Sequence, residues 1–135
     1  MKHPMYVTAD DAVKAVRTGD HIHLSSVASV PHILIESLCR RADAGEVRDL
    51  HFHHFHTEGP APYAETKYEG IFFDQGFFIG PNVRADANAG YADYLPVHLS
   101  ESQKLYRSGA LRCDVAMVQV SLPDENGMFS LGTSV

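Results

Sequence analysis

The sequence predicts an α/β domain: an open, mostly parallel sheet with flanking helices, ending in a turn or hairpin. Three observations carry this. Residues 115–120 form a β-branched and apolar run broken only by Gln119, about the length of a strand buried on both faces, and the run stops at Ser121 and Pro123. Residues 21–45 read as strand, loop and helix in succession, and residues 47–58 contain a second alternating strand. A chain of 135 residues suffices for one domain with a single core and is too short for the two-domain architecture of many α/β enzymes.

Each element has a local cause. Thr8 is placed to cap a helix whose first turn carries Asp10 and Asp11, where the macrodipole favours carboxylates, with Ala12, Val13 and Val16 facing inward. Residues 18–20 end that helix. Residues 21–26 alternate polar and apolar, residues 27–30 form a small-residue loop, and Pro31 starts a second helix with Ile33, Leu34 and Leu38 on one stripe and Gly45 past its end. Residues 70–84 place two short aromatic strands around Gly76, after which residues 80–82 turn the chain and residues 85–90 have short helical character. Residues 91–96 read as a loop, and Ser100 to Gln103 open a helix with capping-box spacing that runs to about Arg107. A strand over residues 111–120 then closes the sheet. Pro123, Asp124, Asn126 and Gly127 supply turn chemistry that reverses the chain into residues 128–131.

Composition narrows the function. A net charge of −6 with only 11 lysines and arginines argues against nucleic acid, which needs a basic face. No stretch approaches the roughly 20 apolar residues of a membrane span, and the N-terminus lacks the apolar core of a signal peptide. Cys39 and Cys113 lie far apart in apolar sequence, which suits buried reduced thiols, so a cytoplasmic protein is expected.

The candidate site residues lie on loops. A β-loop-α unit leaves free N–H groups at its helix start, suited to a carboxylate or phosphate, and this points to Ser25, Ser26 and Ser29, unless their hydroxyls only satisfy the turn. His56, Thr57 and Glu58 leave the second strand before the rigid stretch Gly59 to Pro62, better placed for a site than for a core. Arg84 either binds an anion or braces its loop. Four histidines at 51, 53, 54 and 56 raise a metal reading, but on a strand 51 and 53 share one face and 54 and 56 the other, so no three converge.

The ordered set of segments is recognisable. Gly19-Asp20 before a strand and Ser25-Ser26, then residues 56–59 (His-Thr-Glu-Gly), 77–84 (Phe-Phe-Ile-Gly-Pro-Asn-Val-Arg), 90–101 and 114–132 together resemble the N-terminal domain of the acetyl-CoA hydrolase/transferase family, whose members include 4-hydroxybutyrate and butyryl-CoA:acetate CoA-transferases. The likeness covers nearly the whole chain. It implies a CoA-transferase or acyl-CoA hydrolase built from two similar open α/β domains, with residues 1–135 forming the first and the cleft between the two holding the substrates. Coenzyme A enters as a substrate and no cofactor is permanently bound. The partners implied are an acyl-CoA, a small carboxylic acid, a second domain in cis or in trans and further copies in a homo-oligomer.

In that family a glutamate of the second domain attacks the acyl-CoA and forms a glutamyl-CoA thioester, so no catalytic residue and no metal ligand is expected here. By position, Ser25, Ser26, Thr57, Glu58 and Gly59 match substrate-facing loops, with Asn82 and Arg84 behind them. Glu125, although Asp124-Glu-Asn-Gly127 echoes a nucleophile motif of a related branch, is assigned to solvent. A non-catalytic binding or regulatory module of the same fold is the alternative, and a His-rich metal protein a further one.

Overall fold

The computed structural model describes residues 6–133. Five strands form one sheet in the order β4-β3-β2-β1-β5, where β1 is His21–Leu24, β2 Leu50–His54, β3 Phe72–Gly76, β4 Ala92–Tyr94 and β5 Val115–Met117. Every pairing is parallel. Parallel pairing sends all the loops that leave the strands to one end of the sheet, and this places the candidate site. The helices are α1 (Ala9–Ala12), α2 (His32–Asp43), α3 (Arg84–Ala89) and α4 (Ser102–Arg107).

One face of the sheet is apolar. Ile22, Leu24, Leu50, Phe52 and Phe72 pack there against Ile35, Leu38, Cys39 and Ala42 of α2 and against Tyr63 and Tyr68 of the following loop. Thr8 caps α1, accepting from Asp11 N, and Val13 and Val16 reach the core as predicted, whereas Ala12 is exposed. On α2 the inward stripe runs Ile35, Leu38, Cys39, Ala42, and Ile33 is 71% exposed. Of the expected stripe, Leu38 is fully buried and Leu34 packs on the core, and only Ile33, in the first turn of α2, lies outside it.

The other face is polar and aromatic. The register aligns His21 with His51 and His51 with Phe73, and their rings stack at 4.4 and 4.8 Å between centroids. His53 is fully buried beneath them, with Nε2 2.9 Å from His21 Nδ1, while His23 Nδ1 lies 3.0 Å from the Tyr106 hydroxyl on α4. Burial disfavours the imidazolium, holding His53 down to about 4 and His21 and His23 below the ordinary histidine value.

Several sequence expectations are corrected. Residues 115–120 are not a central strand: β5 spans three residues at the sheet edge, and Val120 is exposed, since β5 has a strand on one side only. The segment 91–96 is not all loop, because Ala92–Tyr94 adds the opposite edge strand. Only one aromatic strand forms around Gly76, as the chain leaves the sheet at Phe77. The capping box at Ser100 does not form; a 3-10 turn over Leu99–Glu101 leads into α4, and Glu101 binds Lys104 instead. Cys39 is buried with its thiol pushed up by desolvation, but Cys113 is exposed. The predicted reversal after Pro123 is present: Ser121 N donates to Ser130 O, Asp124 N to Met128 O, and Asp124 Oδ1 accepts from Asn126 N and Met128 N.

The buried histidine has a pH consequence. Between about pH 4 and 6.5 the folded protein binds fewer protons at His53 than the unfolded chain does, so its contribution is complete above 6.5 and lost as the pH falls through about 4. Urea unfolding across that window should show a stability loss on the order of 3 kcal/mol, and His53→Gln should flatten the slope.

Candidate functional site

The loops that leave β1, β2 and β3 meet at one end of the sheet. Ser25 and Ser26 follow β1 directly. Ser25 is buried, donating through Oγ to Ser29 O at 2.5 Å and accepting from Gln119 N at 3.0 Å, which ties the exit of β1 to the exit of β5. Ser26 Oγ accepts from Phe55 N at 2.9 Å and donates to Leu24 O, tying β1 to β2. Both hydroxyls are therefore committed to the framework. Their neighbour Val27 donates its N–H to His56 O at 2.8 Å and forms a bridge with Thr57, extending the β1–β2 pairing into the loops.

Val27 adopts a left-handed backbone with φ 56°, costly for a β-branched residue, and yet its side chain is partly exposed. Backbone strain of this kind persists where surrounding contacts over-determine the loop. The contacts that do so here are the Ser26 and Val27 hydrogen bonds to the β2 exit.

Thr57 is the junction. Its side chain is buried, with Oγ1 2.8 Å from the Tyr63 hydroxyl and accepting from Asn82 Nδ2 at 3.1 Å. Asn82 Nδ2 also donates to Gly59 O at 3.0 Å, so the loop after β3 grips both ends of the 57–59 segment. Two glycines permit this closeness. A Cβ on Gly80 would lie 2.7 Å from Asn82 Oδ1 and 3.3 Å from Thr57 O, and one on Gly59, where φ is +79°, would lie 3.0 Å from the His32 ring at the start of α2. Glu58, between Thr57 and Gly59, is exposed, and its carboxylate has no hydrogen-bond or ionic partner among the described residues.

Beneath the junction lies a polar pair inside the core. His54, the last residue of β2, and Asp74, central in β3, are both buried with Nε2 and Oδ1 2.6 Å apart. His54 Nδ1 faces Phe55 O, and the Tyr63 hydroxyl is 3.5 Å from His54 Nε2. Desolvation raises the Tyr63 hydroxyl well above its ordinary value, the Asp74 carboxyl adding to the effect, so it stays a neutral hydrogen-bonding group. An unbroken line of contacts runs Asp74, His54, Tyr63, Thr57, Asn82.

Of the residues singled out from sequence, Ser25, Ser26, Thr57, Glu58, Gly59 and Asn82 are brought together in this cluster. Arg84 is not: it opens α3, is exposed, and makes no hydrogen bond or ion pair among the described residues. Ser29 turns inward as well, with Oγ 3.1 Å from Thr133 Oγ1. Glu125 is exposed in the hairpin turn. Sequence reading missed Val27, Tyr63 and the His54–Asp74 pair. Asp74 carried a legible signal, a lone carboxylate within a phenylalanine-rich strand, since a buried charge needs a partner. Among the described residues no three His, Cys, Asp or Glu side chains converge as metal ligands do.

The stitch at Thr57 is testable directly. Thr57→Val keeps the shape, removes the short contact of the Tyr63 hydroxyl and leaves the Asn82 amide only Gly59 O, so it should cost about 1–3 kcal/mol in urea unfolding. Asn82→Ala should cost less, about 1 kcal/mol, and should raise amide exchange in residues 57–59 without changing the core.

Comparison with known proteins accords with this geometry. Residues 3–135 match the acetyl-CoA hydrolase/transferase N-terminal domain. Over 93% of its length the chain is 34% identical to a succinyl-CoA:acetate/propanoyl-CoA:succinate CoA transferase of Fasciola hepatica, of which it covers 26%. Over 95% of its length it is 30% identical to the 4-hydroxybutyrate coenzyme A transferase of Clostridium kluyveri, covering 29% of that protein. The crystal structure of RipA from Yersinia pestis superposes with a TM-score of 0.82 at 24% identity, over 93% of this chain and 31% of that one, which shows the shared fold. The chain thus spans about a quarter to a third of the length of these relatives, and it belongs to the acetyl-CoA hydrolase/transferase family, matching that family's N-terminal domain.

Proposed function

We propose that this chain forms one wall of the active-site cleft of a CoA-transferase, and that a second domain, in cis or in trans, provides the nucleophilic glutamate. The observation that carries the reading is the convergence at Thr57 of three loops from a domain of this family, with the Glu58 carboxylate left free on their rim.

In this reading the partner domain's carboxylate attacks the acyl-CoA carbonyl, the CoA thiolate leaves, and an acyl-glutamyl anhydride remains. The thiolate then attacks the glutamyl carbonyl, giving a glutamyl-CoA thioester and releasing the first acid. A second carboxylate repeats these steps in reverse and leaves as its own CoA ester. Coenzyme A is a substrate throughout, and no bound cofactor is required.

The chain's own contribution is positional. The hydroxyls of Ser25 and Ser26 fix the first loop, and Thr57 with Asn82 fixes the second. Glu58 lines the cleft and is not acylated; a carboxylate there discriminates among acids by repulsion, rejecting a second charge on the acceptor. Arg84 stands at the periphery and contributes charge to the approach of anionic substrates. Leu122, Met128, Phe129 and Leu131 of the hairpin are exposed together, a surface that supports docking of a second domain. The same reading expects a cytoplasmic homo-oligomer; among the described residues no helix is long and apolar enough to cross a membrane.

Incubating the polypeptide that joins this chain to a second domain with an acyl-CoA, then trapping with hydroxylamine or borohydride, tests the proposal. A modified glutamate should map outside residues 1–135, and the chain alone should give no turnover. Glu58→Gln should retain the trapped species and change kcat/KM between mono- and dicarboxylate acceptors by about tenfold, the scale of one unscreened charge contact. Modification of Glu58 itself, or no modified glutamate at all, overturns the reading.

A further inference from the structure

The two edges of the sheet differ in kind. At one edge, β4 is three residues long with a charged Asp93 in its middle and Pro96 just past its end, features that discourage further pairing. At the other, β5 lies in the uncharged run Val-Ala-Met-Val-Gln-Val of residues 115–120 and, among the described residues, pairs with β1 only. Met117 O accepts from Ser25 N and Gln119 N donates to Ser25 Oγ, so these residues turn their backbone polar groups toward β1. By alternation Ala116 and Val118 turn theirs outward, to an edge that neither a charge nor a proline protects.

The faces differ likewise. A sheet whose strands are all parallel is ordinarily covered on both sides. Here α2 covers the apolar side, whereas on the histidine side Ala116, level with His23, is exposed and His21 is half-buried. The path of the chain indicates what belongs there. The connections from β1 to β2 and from β2 to β3 carry α2, Tyr63 and Tyr68 on the apolar side. The connection from β4 to β5 travels the opposite way across the sheet, and α4 lies on the histidine side, where Tyr106 meets His23. Opposite travel on opposite faces is a single hand of crossover, the right-handed one that parallel connections adopt.

We propose that the free edge of β5 pairs with a sixth parallel strand supplied by polypeptide beyond residue 135, and that the helix joining the two covers Ala116 and His21 beside α4. Such a strand continues the direction of travel from β4 to β5, so a right-handed crossover lays its helix on the histidine side. Thr133 Oγ1 lies at Ser29, at the exit end of the strands, so the connection must return along the sheet, which takes a dozen or more residues. Relatives hold chain of that length, since this chain covers 26% of one and 29% of another. Val118 is half-buried and Val120 37% exposed, and an apolar strand alongside would cover both. A second copy of this chain would meet β5 antiparallel through a two-fold axis and leave the histidine side uncovered. The inference needs only the sheet and its edges, and stands whether or not the cleft reading does.

Amide hydrogen exchange of the polypeptide that continues past residue 135, resolved residue by residue, tests this. Ala116 and Val118 should exchange within about tenfold of Val115 and Met117, which face β1, because both sets then sit in ladders of one sheet. In the same polypeptide His21 should resist diethyl pyrocarbonate, while the exposed His98 reacts. Exchange at Ala116 and Val118 more than about a hundredfold faster than at Val115 and Met117 overturns the proposal, since an open edge exchanges freely. Protection that is lost on dilution also overturns it and assigns the edge to a second copy. Modification of His21 as fast as that of His98 overturns the placement of the helix.

Discussion

A single buried hydroxyl constrains the end of the sheet where the strand-exit loops meet. Thr57 Oγ1 takes the Asn82 amide from one loop and the Tyr63 hydroxyl from below, and its backbone neighbours are bridged to Val27. Loops on an α/β sheet are otherwise the least fixed parts of the fold. Here the three strand exits are bound to one another before any ligand arrives. Preorganisation of this kind lowers the ordering cost of binding, and it explains how Val27 keeps a backbone conformation that its side chain opposes.

The sheet itself is asymmetric in a way that serves this end. Its α2 face is built of aliphatic and aromatic residues and supplies most of the hydrophobic driving force. Its other face stacks His21, His51 and Phe73 across three strands and buries His53 beneath them. His21 Nδ1 and His53 Nε2 meet there at 2.9 Å, and burial disfavours a charge on either ring, so the arrangement weakens in acid. The His54–Asp74 pair lies on the apolar face and anchors Tyr63, so the only deeply buried carboxylate among the described residues is also the foundation of the Thr57 junction.

Much of this was legible in the residues. The strand, loop and helix of residues 21–43 followed from alternation at His21 to Leu24 and from Pro31, and the reversal at residues 123–127 followed from Pro and Asn-Gly chemistry. Ser25, Ser26 and Thr57 followed from their positions at strand exits, the family resemblance added Gly59 and Asn82, and the structure brings these residues together. What local pattern missed was set by tertiary context. Residues 115–120 look doubly buried, yet β5 has a strand on one side only, and an apolar run does not reveal how many neighbours it has. Ala92–Tyr94 lacks any strand signature, and its pairing with β3 alone makes it a strand. The histidines of β2 were separated by face correctly, but that His54 would meet Asp74 depended on a register that the sequence does not state.

The central claim is that the Thr57 junction faces the thioester while covalent chemistry comes from elsewhere. A crystal structure of the polypeptide containing this chain, soaked with a non-hydrolysable acyl-CoA analogue, tests it most directly. The account predicts the acyl group in contact with residues 57–59 and Val27, with a glutamate of the second domain on its opposite side. An acyl group bound away from these loops, with the 57–59 segment open to solvent, would contradict it.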